Sequence, residues 1–233
     1  MKKISILFIL FFPFITFPFQ YVCVDTGFMF PWEEACDIDC DNFGRPYIVY
    51  SYVTFSYGNN NNVRKYVIKC AYWNQGWVYK IIDSLGDEDC VISLKISVDN
   101  FNHPHILYSV KENDTTKLKY AHYNGIYWEY STIYETLSVP DWRIDMDMSL
   151  SSNNIPYVVF PIVNFTDFVL QIKLAFKNGN DWVIETVWDS TPPRLSSWPQ
   201  VAIDLDVNGN PGIIFPICFF LSTILPKTLL SPF

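Results

Sequence analysis

Positive charge is scarce in this sequence, which has 16 lysines and arginines against 24 aspartates and glutamates and a formal net charge of −8 at pH 7. Such a surface repels a phosphate backbone, so the charge balance argues against nucleic-acid binding and leaves cations and neutral ligands as better partners. Glycine is also scarce, at nine residues, and fifteen prolines argue against long helices.

Signatures of catalysis and cofactor binding are missing as well. The chain has no glycine-rich phosphate loop, no nucleophile elbow and no dinucleotide-binding fingerprint. Its three histidines, His103, His105 and His122, form no paired metal-ligand spacing, and we interpret them as surface or strand residues without chemistry. The sequence therefore predicts a protein that is not an enzyme, with no catalytic residues, no cofactor and no metal site.

Aromatic residues are abundant instead, at 18% of the chain, and they belong to an internal repeat. A polar turn ending in proline returns at spacings of 58, 52 and 55 residues, and an apolar run follows each proline. A small residue and an indole recur further on, and an acidic segment closes each unit. The prolines are Pro46, Pro104, Pro156 and Pro211; the alanines Ala71, Ala121 and Ala175; the tryptophans Trp77, Trp128 and Trp182; the closing segments Val24–Thr26, Ile82–Ser84, Tyr134–Thr136 and Trp188–Ser190.

Each unit is predicted to contain four antiparallel strands, of which the first precedes the proline turn. The alternation at the last turn predicts Ile203, Leu205 and Val207 on one face. The alanine predicts close approach of a neighbouring sheet, and the tryptophan fills the space between sheets. The predicted first strands are Ala35–Cys40, Ser93–Val98, Arg143–Met148 and Val201–Val207. Four-stranded repeats of this length favour an all-β fold, a β-propeller of about three full blades plus partial ones in an incomplete ring.

The domain organisation follows from the repeat. Residues 1–20 are predicted to be a signal peptide, because Lys2 and Lys3 precede an apolar run, with a retained membrane anchor as the alternative. The blades span 21–215, with units at about 35–89, 90–141, 142–197 and a partial one at 198–215. The apolar tail, 216–233, is expected to be truncated or irregular, with completion by a partner or a membrane anchor as alternatives. The expected location is secreted, periplasmic or at the cell surface.

The turn Asp206–Pro211, the hairpin Lys173–Trp182 and the closing segment Ile82–Ser84 resemble the repeats of secreted bacterial β-propeller proteins, in the broad sense of the sialidase-like or BNR-like superfamily. The resemblance covers roughly 21–215 and implies the fold rather than an activity. Ser97–Asp99 begins like the Asp-box of sialidases, but the following residues depart from it. The four arginines that could clamp a carboxylate show no grouping in the sequence: Arg45, Arg64, Arg143 and Arg194.

Four further sets of residues have a possible role. Six cysteines permit disulfides in an exported chain, or serve as small buried hydrophobes. Exposed rings such as Trp73, Tyr127 and Tyr130 could bind carbohydrate, unless they belong to the inter-blade core. Asn113 and Asn164 begin glycosylation sequons. The acidic turns have the spacing of calcium loops but lack the later bidentate carboxylate: Asp37, Asp39, Asp41, Asp204, Asp206 and Asn208.

The function predicted from these features is an extracytoplasmic β-propeller module, not catalytic, that binds a protein or a glycan through its blade loops. One alternative is a degenerate sialidase-like propeller acting on glycans. The other is a truncated gene fragment without function. No nucleic-acid partner is expected, and membrane attachment would require an uncleaved N-terminal segment.

Overall fold

The computed structural model describes residues 4–10, 20–27, 35–57, 62–86, 89–137, 145–164, 169–189 and 200–216. These ranges contain sixteen β-strands and no helix, and hence no helix that could cross a membrane. The strands form three four-stranded sheets, called blades 1 to 3, and two two-stranded sheets. The all-β class predicted from the repeat is confirmed.

The strand bounds follow the repeat. An N-terminal hairpin pairs β1 (Ile4–Leu10) with β2 (Gln20–Gly27). Blade 1 contains β3 (Cys36–Cys40), β4 (Pro46–Tyr57), β5 (Asn62–Trp73) and β6 (Trp77–Ser84). Blade 2 contains β7 (Cys90–Val98), β8 (Pro104–Glu112), β9 (Thr115–Tyr123) and β10 (Trp128–Leu137). Blade 3 contains β11 (Asp147–Leu150), β12 (Pro156–Asn164), β13 (Val169–Asn178) and β14 (Asp181–Asp189). A fourth sheet pairs β15 (Ala202–Leu205) with β16 (Pro211–Ile214).

Every blade is an antiparallel meander in which strands pair in chain order. The first strands of successive sheets touch one another, β3 with β7, β7 with β11, and β11 with β15. Sheets arranged side by side in this way, with their first strands innermost, have the architecture of propeller blades. Over the described residues the blades form an arc and do not close a ring, as the sequence predicted.

The proline turns between first and second strands share one hydrogen-bond pattern. Oδ1 of Asp99 accepts the backbone N–H groups of Phe101 and His103 at 2.8 and 2.7 Å. Asp41 and Asp206 make the same pair of contacts in their turns. The fourth turn residue has a left-handed backbone, which glycine and asparagine tolerate best. Its φ is +73° at Gly44, +65° at Asn102, +61° at Asn154 and +82° at Gly209.

The recurring alanines and tryptophans occupy equivalent places, as predicted. All three alanines are fully buried, and each shares a hydrophobic cluster with the tryptophan of its own blade. Each cluster lies against the preceding sheet. The small side chain of the alanine allows that sheet to pack closely against the blade. The pairs are Ala71 and Trp77 against β2, Ala121 and Trp128 against blade 1, and Ala175 and Trp182 against blade 2.

Carboxylates of one sheet clamp the next. The Tyr108 hydroxyl and the Lys119 ammonium group of blade 2 both reach Oδ2 of Asp83 on β6, each at 3.2 Å. Strand β2 makes the same clamp to blade 1, where Asp25 receives Tyr50 at 2.6 Å and Lys69 at 2.9 Å. Strand β2 therefore takes the place of the fourth strand of a preceding blade, in agreement with the recurrence of Val24–Thr26.

The third sequence landmark is aligned wrongly by one residue. Strand pairing places Asp83 opposite Ile68, Tyr134 opposite Leu118 and Trp188 opposite Ile172, so that Tyr134 and Trp188 are the structural equivalents of Asp83. Glu135 and Asp189 are therefore not clamp residues. A bulge lies at the same place in all three fourth strands, so the error comes from matching the acidic residues, which lie six residues after the tryptophan in blade 1 and seven residues after it in blades 2 and 3. Aromatic contacts replace the clamp further along the arc: Tyr134 with Phe160 and Trp188 with Phe215.

Two strand predictions need correction. Strand β11 begins at Asp147 rather than Arg143, which lies outside the described residues. Strand β15 ends at Leu205, and Val207 is fully exposed because it belongs to the turn that Asp206 organises. The predicted alternation thus fails beyond Leu205, since the hydrogen bonds of the turn override it.

Two further sequence predictions concern the N-terminus and the cysteines. Strand β1 lies within the segment predicted to be a signal peptide, and export remains a prediction. Among the cysteines, Cys36 and Cys40 are exposed, Cys90 is half-buried and Cys70 is buried. Burial raises the pKa of Cys70 to about 12, so this thiol is an inert small hydrophobe.

Candidate functional site

A cavity of about 570 Å³ lies between blades 1 and 2, and we call it the inter-blade cleft. Its size falls within the range of small-molecule sites, which join aromatic walls to a few polar groups. Blade 1 lines it with Tyr47, Tyr72, Val78, Tyr79 and Lys80; blade 2 lines it with Asn102, Pro104, Tyr123, Ile126, Tyr127, Trp128 and Tyr130.

The wall from blade 1 is built on a cross-strand aromatic pair. Tyr47 on β4 lies directly opposite Tyr72 on β5, and their rings stack at 5.3 Å and 10°. The Tyr47 hydroxyl donates to the Asn102 carbonyl of blade 2 at 3.2 Å, which joins the two walls at the base of the cleft. Such cross-strand aromatic pairs stabilise a sheet.

The rim from blade 2 is formed by a rigid β9–β10 turn. Oδ1 of Asn124 accepts the N–H groups of Ile126 and Tyr127, each at 3.0 Å. Gly125 takes a left-handed φ of +93°. The turn holds Ile126 83% exposed and Tyr127 59% exposed. These apolar side chains are thus fixed in solvent by backbone geometry.

The polar groups of the cleft are mostly neutral. Burial is the main cause that raises the pKa values of Tyr47, Tyr72 and Tyr130, so their hydroxyls stay protonated at neutral pH. Lys80 is exposed, and no carboxylate occurs among the lining residues that the structure describes. The cleft therefore offers ring faces, hydroxyls, a carbonyl and one ammonium group.

Two of the three predicted carbohydrate-binding rings meet in this cleft. Tyr127 and Tyr130 line it, whereas Trp73 packs edge-on against Trp77 at 5.6 Å and lies outside the lining. Sequence reasoning missed the stacked pair below them. The signal was present, because the residue after each turn proline is aromatic in three of the four units: Tyr47, His105 and Tyr157.

The histidines are not isolated surface residues. His105 on β8 and His122 on β9 lie opposite each other with ring centroids 4.1 Å apart, on the face toward blade 3. His105 is 2% exposed, and burial lowers its pKa despite the Asp99 carboxylate nearby. Burial also lowers the pKa of His122 to about 4. Both rings are therefore neutral at physiological pH. His103 is partly exposed and packs edge-on against Tyr123.

The acidic turns use their oxygens within the protein. Asp37 and Asp39 accept the backbone N–H groups of Ile96 and Val98 in blade 2, at 3.0 and 2.8 Å. Asp41 organises its own turn and pairs with Arg45. These contacts give the acidic residues a role in joining the blades and shaping the turns.

The arginines needed for a sialidase-like site are not gathered among the described residues. Arg45 pairs with Asp41 at 2.6 Å, and the Arg64 guanidinium lies 4.6 Å from the Tyr66 ring centroid. Arg143 and Arg194 lie outside the described residues. Of the two glycosylation sequons, the side chain of Asn164 is also outside the described part of the chain. Asn113 is in a tight β8–β9 turn with a φ of +54°.

Meandering four-stranded sheets joined through their first strands, with an aromatic cleft in one gap, define an all-β repeat protein of the propeller type. Among solved structures, the chain is similar to a fucose lectin from Kordia zhangzhouensis in complex with methyl-fucoside, at 15% identity over 67% of this chain and 100% of that one, with a TM-score of 0.39. It is also similar to a mutant of AofleA from Arthrobotrys oligospora with three arginines replaced by alanine, at 8% identity over 85% and 68%, with a TM-score of 0.43. No family model and no curated protein matches the sequence.

Proposed function

We propose that the chain is a carbohydrate-binding module of the β-propeller type, without catalytic activity, and that the inter-blade cleft between blades 1 and 2 holds the sugar. The observation that supports this most directly is the concentration of aromatic rings around one open cavity of about 570 Å³. The C–H face of a pyranose packs on such rings, and tyrosine combines an apolar face with a polar hydroxyl.

The charge of the cleft favours a neutral or weakly acidic glycan. Lys80 is its cation, and the described lining contains neither aspartate nor glutamate. Glycoside hydrolysis generally uses two carboxylates that flank the bond to be cleaved. The cleft therefore supports binding rather than hydrolysis, and a glycan rather than a polyanion.

Export is the second part of the proposal. Its support is the pair of lysines followed by the apolar run at the N-terminus, together with the expectation that glycans are met outside the cytoplasm. Expression of the full chain in a secreting host, followed by N-terminal sequencing of the exported product, tests this part. Retention of the whole chain in the cytoplasm contradicts it.

A glycan array that includes methyl-fucoside and other simple glycosides tests the binding part, with calorimetry on each hit. Replacing Tyr127 and Tyr130 by alanine is expected to weaken binding about tenfold or more, because each substitution removes a ring from the wall of the cleft. The matched control is F43A, which removes a ring that is 74% exposed outside the cleft. Absence of any glycan ligand, equal weakening by F43A, or turnover of aryl glycosides contradicts the proposal.

A further inference from the structure

Blade 2 differs from its neighbours at one cross-strand pair. In blade 1 the pair is Tyr47 and Tyr72, and in blade 3 it is Tyr157 and Phe176, stacked at 5.3 and 5.5 Å. In blade 2 the equivalent residues are His105 and His122. Two imidazoles replace two phenol or phenyl rings on the face that meets the next blade, so ring nitrogen atoms enter this gap.

The two nitrogens of the buried histidine differ in their partners. Nδ1 of His105 contacts the Tyr120 hydroxyl. Its Nε2 is buried, and its contact is the Asp99 carboxylate, at 3.5 Å from Oδ2, which is long for a hydrogen bond. A second partner that fixes one nitrogen and orients the other is the usual arrangement around a metal-ligating histidine.

The carboxylate next to it has one oxygen to spare. Oδ1 of Asp99 accepts the two N–H groups of its turn, and Oδ2 faces His105 and, at 3.8 Å, His103. In blade 1 the corresponding oxygen of Asp41 pairs with Arg45 at 2.6 Å. Blade 2 lacks that arginine, and its aspartate therefore faces histidines instead of a fixed cation.

His122 completes the group. Its Nε2 is also buried without a hydrogen bond, and one ligand atom from each of Asp99, His105 and His122 lies within 4.8 Å of the others. Zinc binds imidazole nitrogen and carboxylate oxygen at about 2.0–2.2 Å, so the three atoms need to close by roughly 1 Å around an ion. Two other charged side chains act electrostatically on the histidines: Glu129 on His122 and Lys177 on His105.

We propose that Asp99, His105 and His122 form a binding site for a divalent transition metal ion of the zinc class, which ties the proline turn of blade 2 to strands β8 and β9 at the gap toward blade 3. Two nitrogens and one carboxylate oxygen suit zinc with water in the fourth position. The site is separate from the inter-blade cleft, because the histidine pair faces blade 3 whereas the cleft lies between blades 1 and 2. It departs from the sequence expectation that the histidines have no chemistry.

Calorimetric titration of the metal-stripped full chain with Zn²⁺ tests the site, with thermal unfolding as a second readout. One zinc ion per chain is expected, together with a rise in the unfolding midpoint on the order of 5 °C at an excess of about a hundred times the dissociation constant. Cobalt is expected to give a visible spectrum without a thiolate charge-transfer band, because the ligands are nitrogen and oxygen.

Three variants separate this site from others. The double variant H105Y/H122Y restores the aromatic pair of blade 1 and is expected to fold but to lose the zinc. D99N keeps the side-chain oxygen that accepts the hydrogen bonds of the turn but removes the negative charge, and it is expected to weaken zinc binding at least tenfold. This variant tests the site if the double variant does not fold. The control C36S/C40S replaces the two exposed cysteines and is expected to bind as before. Absence of zinc binding, equal binding by H105Y/H122Y, or loss in C36S/C40S overturns the proposal.

Discussion

The carboxylate of Asp37 in blade 1 accepts the backbone N–H of Ile96 in blade 2 at 3.0 Å, across the gap between two sheets. The same contact returns from blade 3 to the fourth sheet, where Asp147 accepts the N–H of Ile203 at 3.0 Å. Between blades 2 and 3 the corresponding residue is Lys95, which pairs with Asp147 at 3.5 Å. The first strands are therefore joined by side chains as well as by packing.

This contact has a pH dependence that can be measured. Burial is the main cause that raises the pKa of Asp37 above 3.8, so the folded chain holds this proton more tightly than the unfolded chain. Asp37 therefore stabilises the folded chain at pH values below the ordinary pKa of aspartate. This stabilisation is lost as the pH rises through the pKa that Asp37 has in the folded chain. Relative to wild type, D37N is expected to gain stability between about pH 3 and pH 7, measured by urea unfolding.

The alanine variant of the same residue acts differently. D37A leaves the Ile96 N–H without its acceptor, which is expected to cost about 1–3 kcal/mol at either pH. An equal and pH-independent effect of D37N and D37A would show that the carboxylate charge is not what the gap disfavours.

The small residue of the third strand sets the distance between blades. A121L adds three carbon atoms at a site that is 0% exposed between blades 1 and 2. The expected loss of unfolding free energy is about 1–3 kcal/mol, because a filled gap cannot absorb the added volume. The matched control is A202L, at an exposed alanine on β15, which is expected to be neutral. Equal stability of A121L and wild type would contradict close packing at this position.

The left-handed turn residue of blade 2 has two roles. Asn102 has a φ of +65°, and its Oδ1 accepts the N–H of Asn42 in blade 1 at 3.0 Å. N102V is expected to destabilise the chain by about 1–3 kcal/mol through backbone strain. N102G keeps the conformation and loses only the contact to Asn42, so its cost is expected to be smaller in denaturant melts. A larger loss in N102G than in N102V would assign the effect to the hydrogen bond instead.

The tyrosine clamps differ in strength. Tyr50 donates to Asp25 at 2.6 Å and Tyr108 to Asp83 at 3.2 Å, and in both cases the acceptor is a carboxylate. Y50F is therefore expected to cost about 1.5–3 kcal/mol in chemical unfolding and Y108F less. Phenylalanine fits the position, as Phe160 of blade 3 demonstrates. A greater effect of Y108F would contradict the ranking by geometry.

The repeat predicted most of the fold because its landmarks are packing requirements. Ala121 is small since a sheet approaches it, and Asn102 and Gly44 share a position since the backbone there is left-handed. Such constraints leave the same letters in every unit. The failures lie at the acidic residues of the fourth strands, which are offset by one position between blade 1 and blades 2 and 3, and in the turn that exposes Val207.

The sites were less predictable for a physical reason. The cleft needs residues of two blades, such as Tyr72 and Tyr127, which are 55 positions apart in the sequence (127 − 72). The histidine group combines a turn with two strands, and His105 and His122 meet only through the register of β8 and β9. Letter spacing carries no information about either distance until the register of the strands is known.

One pair of positions per blade thus contributes two stacked or tilted rings to the gap beside it, which are two tyrosines, two histidines, or a tyrosine and a phenylalanine. Because each blade contacts chiefly its immediate neighbours, an exchange at one pair leaves the remaining gaps unaltered. Two codons therefore suffice to change the ring pair that one gap presents while the other gaps keep theirs.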